Sequence, residues 1–350
     1  MNFVRRILVA VFCGAAVLPC YAAKPQKTAV IEINTYLEQA HLAGVFNGVI
    51  LVADHGKVIV RRALGYADGS RTVPLTLSDR FDIGSIGKEF DAVGVMILVD
   101  QGKLSLTDPV SKFFPDLPSW AATVTIDDLL HYTSGLPDVD WKTVKTDADI
   151  WRNLRALTQL NFPAGTHYTY NNNDTFLRRR VIEQVSGMSF AKFLETQEFP
   201  KAGVRDAVID PTDVTPRVPK SFDANFKESP ITVDMTGWTS LNLDDFLRWS
   251  NCITKFCLIT PASTRRIVTT GDAKWQTGLG HGEMVGAQLV HHVHDGSDHH
   301  YQALLVNDSS KGRTVIILTN QKHGNVYAMD DAINAILDHK PYQPLSNIKQ

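Results

Sequence analysis

The spacing of apolar and polar positions changes period several times along the chain. Residues 28–43, TAVIEINTYLEQAHLA, carry apolar side chains at helical spacing, which predicts an opening helix. The runs NGVILVAD and KVIVRRALGYAD are β-rich and flank a turn at His55 and Gly56, the pattern of a hairpin. From about Gly84 to Phe256 the period is helical, in EFDAVGVMILVDQG, DTFLRRRVIEQVSG and LDDFLRWSNCI, with Pro and Gly loops between. Strand signals return in EMVGAQLVHHVHD, in YQALLVND and, after the turn SSKGR, in TVIILTNQ. A last helical pattern runs through YAMDDAINAILDH. Strands at both ends with helices between them predict an α/β fold of the α+β kind. An antiparallel sheet built from both termini is flanked by helices, with a mainly helical inserted subdomain against it. The expected single domain covers 24–345, with a sheet subdomain at 24–83 and 265–345 and a helical subdomain at 84–264.

Composition narrows the setting. The chain has 350 residues, 44% of them hydrophobic, and 35 Lys and Arg against 37 Asp and Glu, a formal net charge of −2. That balance argues against a nucleic-acid partner, which calls for a basic surface. Arg5 and Arg6 precede the apolar run ILVAVFCGAAVL, and Cys20 and Ala22 sit at the small-residue positions of a cleavage site. Residues 1–22 therefore read as a secretory signal peptide, too short in its apolar part for a comfortable membrane span. The expected mature protein is exported, secreted or periplasmic, with no membrane span. Cys13 and Cys20 leave with the signal, and Cys252 and Cys257 remain. In an oxidising compartment they either close a short disulfide loop or stand as two small core residues. A single continuous helix through both would hold their Cα atoms too far apart to bridge.

Candidate chemistry gathers at Ser85 and Lys88, three apart at the start of a predicted helix and hence on one face, one turn apart. A serine hydroxyl needs a base, and lysine serves only if burial or a helix N-terminus lowers its pKa. With the long apolar helix that follows, and then GKLSLTDPVSKFFPDLP, this stretch resembles the penicillin-binding and class C β-lactamase-like serine hydrolases.

The resemblance implies two further elements. In FPAGTHYTYNNND it selects Tyr170 and Asn172: Tyr170 to share proton transfer with Lys88, provided nearby cations favour its phenolate, and Asn172 to hydrogen-bond the substrate. The run of Asn171, Asn172 and Asn173 leaves room for a slip of one. The loop LLHYTSGLPD at 129–138 matches a family marker. In HHVHDGSDHH, which holds five of the twelve histidines at 291–300, His294 and Gly296 fit the family's His-x-Gly. Gly296 would let the substrate backbone lie close, and the Ser297 N–H would pair with that of Ser85 as an oxyanion hole. On a strand, His292 and His294 face one way and His291 the other; His291, His299 and His300 are expected at the surface. A zinc site on these histidines is the rival, without a supporting ligand pattern. The chain departs from its relatives at His300, at Arg179 or Arg180, where small residues are common, and in MTGWTSLNLDDFLRW at 235–249.

The implied activity is acyl-enzyme hydrolysis of an ester, an amide or a D-amino-acid peptide, with a small-molecule or peptide substrate and no cofactor. A β-lactamase or D-alanyl-D-alanine carboxypeptidase is one alternative, and a non-catalytic penicillin-binding-like sensor another. Histidine where relatives carry lysine removes a permanent cation, so β-lactamase activity is expected to be weak or absent.

Overall fold

The computed structural model describes residues 26–344. The expected signal segment lies outside the described residues. Helix α1 (Gln26–Leu42) leads into the strands β1 (Gly48–Asp54) and β2 (Lys57–Leu64). Their two-residue turn puts His55 at φ 49° and Gly56 at φ 75°. Two left-handed residues give the turn that matches the twist of an antiparallel pair.

The middle of the chain holds α2 (Lys88–Asp100), α3 (Asn172–Ser186) and α4 (Leu243–Thr254) among shorter helices and loops. Gly94 lets α2 and α3 approach closely, since a Cβ there would stand 2.8 Å from Ile182 Cδ1. The chain then returns to the sheet through β3 (His281–Val285), β4 (Gln288–Asp298), β5 (Tyr301–Asp308) and β6 (Arg313–Thr319), and ends in α5 (Val326–Leu337). The stretch EMVGAQLVHHVHD, one run in the sequence, is in fact two strands folded back at Gly286, φ 56°.

All six strands pair antiparallel in the order β2-β1-β6-β5-β4-β3. The central pair joins the two ends of the chain, from Gly48 opposite Thr319 to Asp54 opposite Arg313. Both faces are covered. Ile50, Val52, Leu304 and Ile317 pack against Ile33 and Leu37 of α1 and Met329 and Ile333 of α5. Val49, Leu51, Leu305 and Ile316 face the inserted helices, with Phe90 and Val93 of α2 in the same core. Two buried faces explain why β1 and β6 read as unbroken apolar runs rather than alternations. Each such side chain contributes roughly 1.5–3 kcal/mol on full burial.

Cys252 and Cys257 form a disulfide with Cα atoms 5.1 Å apart. Helix α4 stops at Thr254, and Phe256 at φ 56° turns the chain back, which removes the obstacle a continuous helix would pose. Among the described residues no helix is long and apolar enough to cross a membrane.

Candidate active site

The short strand Phe81–Asp82, paired with Thr239–Leu241, delivers the chain into a 3-10 turn at Gly84–Gly87 that runs straight into α2. Gly84 sits at φ 52°, and a Cβ there would lie 2.5 Å from the Ser297 nitrogen, so glycine is required on both counts. Ser85 thereby stands just before α2, and Lys88 is its first residue. Lys88 Nζ donates to Ser85 Oγ at 2.9 Å, and Tyr170 Oη donates to the same oxygen at 2.7 Å. The Lys88 ammonium is fully buried between two aromatic rings, 5.0 Å from the centroid of Tyr170 and 4.9 Å from that of Trp238.

Burial, reinforced by the Arg179 cation, brings Lys88 down from the usual lysine value to about 7. Near neutrality its amine is therefore available as a base. Tyr170 moves the other way: burial and the neighbouring Tyr132 push its phenol well above the ordinary tyrosine value, and Arg178 does not offset them. The proviso that nearby cations favour its phenolate is thus not met, and Tyr170 stands as a neutral phenol that carries its proton.

Of the three asparagines, Asn171 caps α3 by accepting from the Asp174 N–H at 2.8 Å, and Asn173 donates to Pro137 O at 2.7 Å. Asn172 is the one that lines the cleft. Its backbone N–H and its Nδ2 both donate to Asp138 Oδ1, at 2.6 and 3.0 Å. Asp138 closes the Thr-Ser-Gly-Leu-Pro loop, so a segment first read as a family marker also orients a cleft residue. Arg179 and Arg180, departures in the sequence, are absorbed locally. Arg179 binds Asp91 and Thr236 O and stacks on Trp238, while Gly237 leaves the space it needs.

The histidine strand divides as its alternation requires. His292 and His294 are buried, whereas His299 and Ser297 reach the cleft. His294 does not face the cleft: its Nδ1 lies 2.9 Å from Glu89 Oε1, behind the wall, and His292 Nε2 lies 3.0 Å from the same oxygen. Trp249 Nε1 donates to Glu89 Oε2 at 2.7 Å. Burial disfavours the Glu89 anion, but the His292 charge and the hydrogen bonds of both imidazoles hold it at about 2. Glu89 in turn carries His292 above the usual histidine value against its burial. The Gly296 backbone lies flat on the nucleophile turn, where a Cβ would collide with the Ile83 carbonyl and stand 2.8 Å from the Ser85 nitrogen. Among the described residues no group of three or more His, Cys, Asp or Glu is arranged to hold a metal ion.

The cleft has a volume of 260 Å³ and is lined by Ser85, Lys88, Asn172, Trp141, Trp238 and Ser297. Thr232, Asp234, Asp298 and His299 complete its rim, none of them anticipated there from the sequence. Asp234 and Asp298 form no ion pair among the described residues. Burial and the Asp234 charge raise Asp298, and Asp82 behind it rises to about 7 through burial and Asp298. The hydroxyl, amine and phenol meet at one end of this opening, where the Gly296–Ser297 backbone lies against that of Gly84 and Ser85. Such a set can support attack on a carbonyl, proton removal, proton donation and stabilisation of an oxyanion.

Comparison with known proteins points the same way. The beta-lactamase family profile matches residues 33–340. A penicillin-binding protein of Bacillus subtilis strain 168 is 32% identical over 184 residues, 50% of this chain and 40% of that protein. A D-aminopeptidase of Gluconobacter oxydans strain 621H is 26% identical over 326 residues, 87% of this chain and 61% of that protein. The chain thus spans less than two thirds of either relative. The crystal structure of a penicillin-binding protein from Bacillus halodurans shares the fold, with a TM-score of 0.73 at 20% identity, over 89% of this chain and 99% of that one.

Proposed function

The chain belongs to the beta-lactamase family, and from that premise we propose that it is an exported serine hydrolase working through an acyl-enzyme on Ser85. The observation that carries this is the convergence of Lys88 Nζ and Tyr170 Oη on one hydroxyl oxygen, at 2.9 and 2.7 Å, on an open cleft. In the proposed cycle the neutral Lys88 amine takes the Ser85 proton as Oγ attacks the substrate carbonyl. The Ser85 and Ser297 N–H groups receive the developing oxyanion. Tyr170 gives its proton to the leaving group and recovers one from Lys88, and water then releases the acyl group by the same relay in reverse. Asn172 orients the substrate amide or carbonyl.

The substrate class is an ester, an amide or a D-amino-acid peptide. Support comes from the rim, where Asp234 and Asp298 present carboxylates to the cleft and His294 offers it no cation. That charge disfavours the carboxylate of a β-lactam or of a peptide C-terminus. Export rests on the basic and then apolar N-terminal segment. The test is intact-mass detection of a covalent adduct across a panel of esters, D-amino-acid amides and β-lactams, with Ser85→Ala as control. An adduct that persists in Ser85→Ala, or no adduct with any member of the panel, rejects the proposal.

A further inference from the structure

The catalytic relay leaves one buried charged group of α2 unused. Glu89 stands four residues after Ser85, on the helix that Ser85 precedes, and is fully buried. Its partners His292 and His294 lie on β4, and His294 is two residues before Gly296 on the same face. Each end of the clamp is therefore within about one turn or one strand repeat of an amide assigned to the oxyanion hole.

The backbone around that hole lacks a register of its own. The Gly84–Ser85 and Gly296–Ser297 segments touch through glycine contacts. Yet Ile83 N–H donates to Thr239 O at 3.2 Å and Gly84 N–H to Asp82 at 2.6 Å. No backbone hydrogen bond joins residues 83–87 to 294–298 among the described residues. Contact alone allows two surfaces to slide, whereas a directional bond between buried groups fixes one setting. Three donors converge on the Glu89 carboxylate: two imidazoles from the strand, and the Trp249 indole from α4. Around them, His292 Nε2 also faces Leu279 O at 3.1 Å, and His281 of β3 pairs opposite Val293, between the two histidines. An apolar residue at 89 would fill the space without fixing the register.

We propose that Glu89 is a positioning residue, whose bonds to His292 and His294 set the separation of the Ser85 and Ser297 amides. The inference rests on the assignment of those two amides as the oxyanion hole. It adds a cause for their alignment that is separate from Lys88 and Tyr170.

The experiment uses the full chain with Glu89→Gln, His294→Gln and the double variant. Backbone hydrogen exchange is followed in peptides covering 83–87 and 295–299, beside the rate and affinity of fluorophosphonate labelling at Ser85. Exchange at 295–299 is expected to rise about tenfold in each single variant, with β5 and β6 unchanged. The labelling rate constant is expected to fall about 10- to 100-fold at unchanged affinity, the order expected for a misplaced oxyanion donor. The double variant is expected to lose no more than the worse single one, because both act through one clamp. Unchanged exchange at 295–299, or losses that multiply in the double variant, overturns the proposal. If Glu89→Gln does not fold, His294→Gln, which leaves Glu89 bonded to His292 and Trp249, carries the same test. Failure of the wild-type chain to label would sink the hydrolase assignment instead, and the exchange arm still decides whether the clamp aligns the strand.

Discussion

Tyr170 Oη stands 2.7 Å from Ser85 Oγ, while burial holds the phenol well above the ordinary tyrosine value. A group that keeps its proton this firmly is a donor first. It suits delivery to a departing oxygen or nitrogen better than removal of the serine proton. Tyr170→Phe is therefore expected to slow acylation by amide substrates about 10²- to 10⁴-fold. A fluorophosphonate, whose fluoride leaves without needing a proton, is expected to suffer much less. Parallel rates with the two probes check this, and equal losses would show that Tyr170 acts on the nucleophile instead.

Lys88 supplies the pH dependence. Its pKa in the folded chain is about 7, lowered first by burial and then by Arg179. Only the neutral amine accepts the Ser85 proton, so acylation rises with pH through about 7 and levels off above it. Lys88→Met removes both the base and the limb, and costs roughly 10²- to 10⁴-fold in rate. The check is a pH profile of Ser85 labelling from pH 5 to 9. A flat profile in the wild-type chain would exclude Lys88 as the base.

The rim carboxylates set selectivity by charge. Asp234 and Asp298 line the cleft that opens on Ser85, where burial first and the Asp234 charge second raise Asp298. Asp234→Asn and Asp298→Asn are each expected to move the ratio of kcat/KM for matched anionic and cationic esters about fivefold toward the anion, roughly 1 kcal/mol, the size of a charge pair about 4 Å apart in water. For the same reason the wild-type chain is expected to turn over cephalosporins poorly. Efficient cephalosporin hydrolysis, or ratios indifferent to both substitutions, would contradict this account.

How much of this was legible beforehand depends on the range over which each signal acts. The fold was legible because its signals are local: the His55-Gly56 turn, the apolar runs and the helical periods each report on a few neighbours. Ser85 and Lys88 were legible for the same reason, being one turn apart. The alternation of β4 correctly paired His292 with His294, but it could not say what they face, because Glu89 lies about 200 residues away in sequence. Lys88, Glu89 and Asp91, three of the four charged residues in KEFDAVGVMILVD, stand at the start of an otherwise apolar helix and were a visible signal that α2 buries ions. Their partners in α3 and β4 were not visible. The rim of the cleft was hidden altogether, since Asp234 and Asp298 meet only when the loop at 232–238 folds over the end of β4. His299, expected at the surface, is exposed and yet belongs to that rim. The charge state of Tyr170 was hidden too, because it follows from burial, which sequence spacing does not report.

Asp91 gives the sharpest link between stability and the site. Its Oδ1 meets Arg178 Nε at 2.5 Å and its Oδ2 meets Arg179 Nε at 3.2 Å, with all three side chains fully buried. Asp91→Asn leaves two buried guanidinium groups without their anion, and breaking a buried pair from one side costs about 3–5 kcal/mol. Urea unfolding is expected to show a loss of that size. Asp91→Asn with Arg179→Met, which restores a closer charge balance with an apolar side chain of similar reach, is expected to recover part of it. The same anion also props up the Lys88 ammonium against burial and Arg179. Removing it lowers the Lys88 pKa further, so the rising limb of the labelling profile moves below pH 7 in Asp91→Asn. Restoring balance with Arg179→Met moves the limb back up, since Arg179 is the cation that depresses Lys88 most. A stable Asp91→Asn variant, or a limb that stays at 7 in both variants, would show that this buried ionic layer neither holds the helices together nor tunes the base above it.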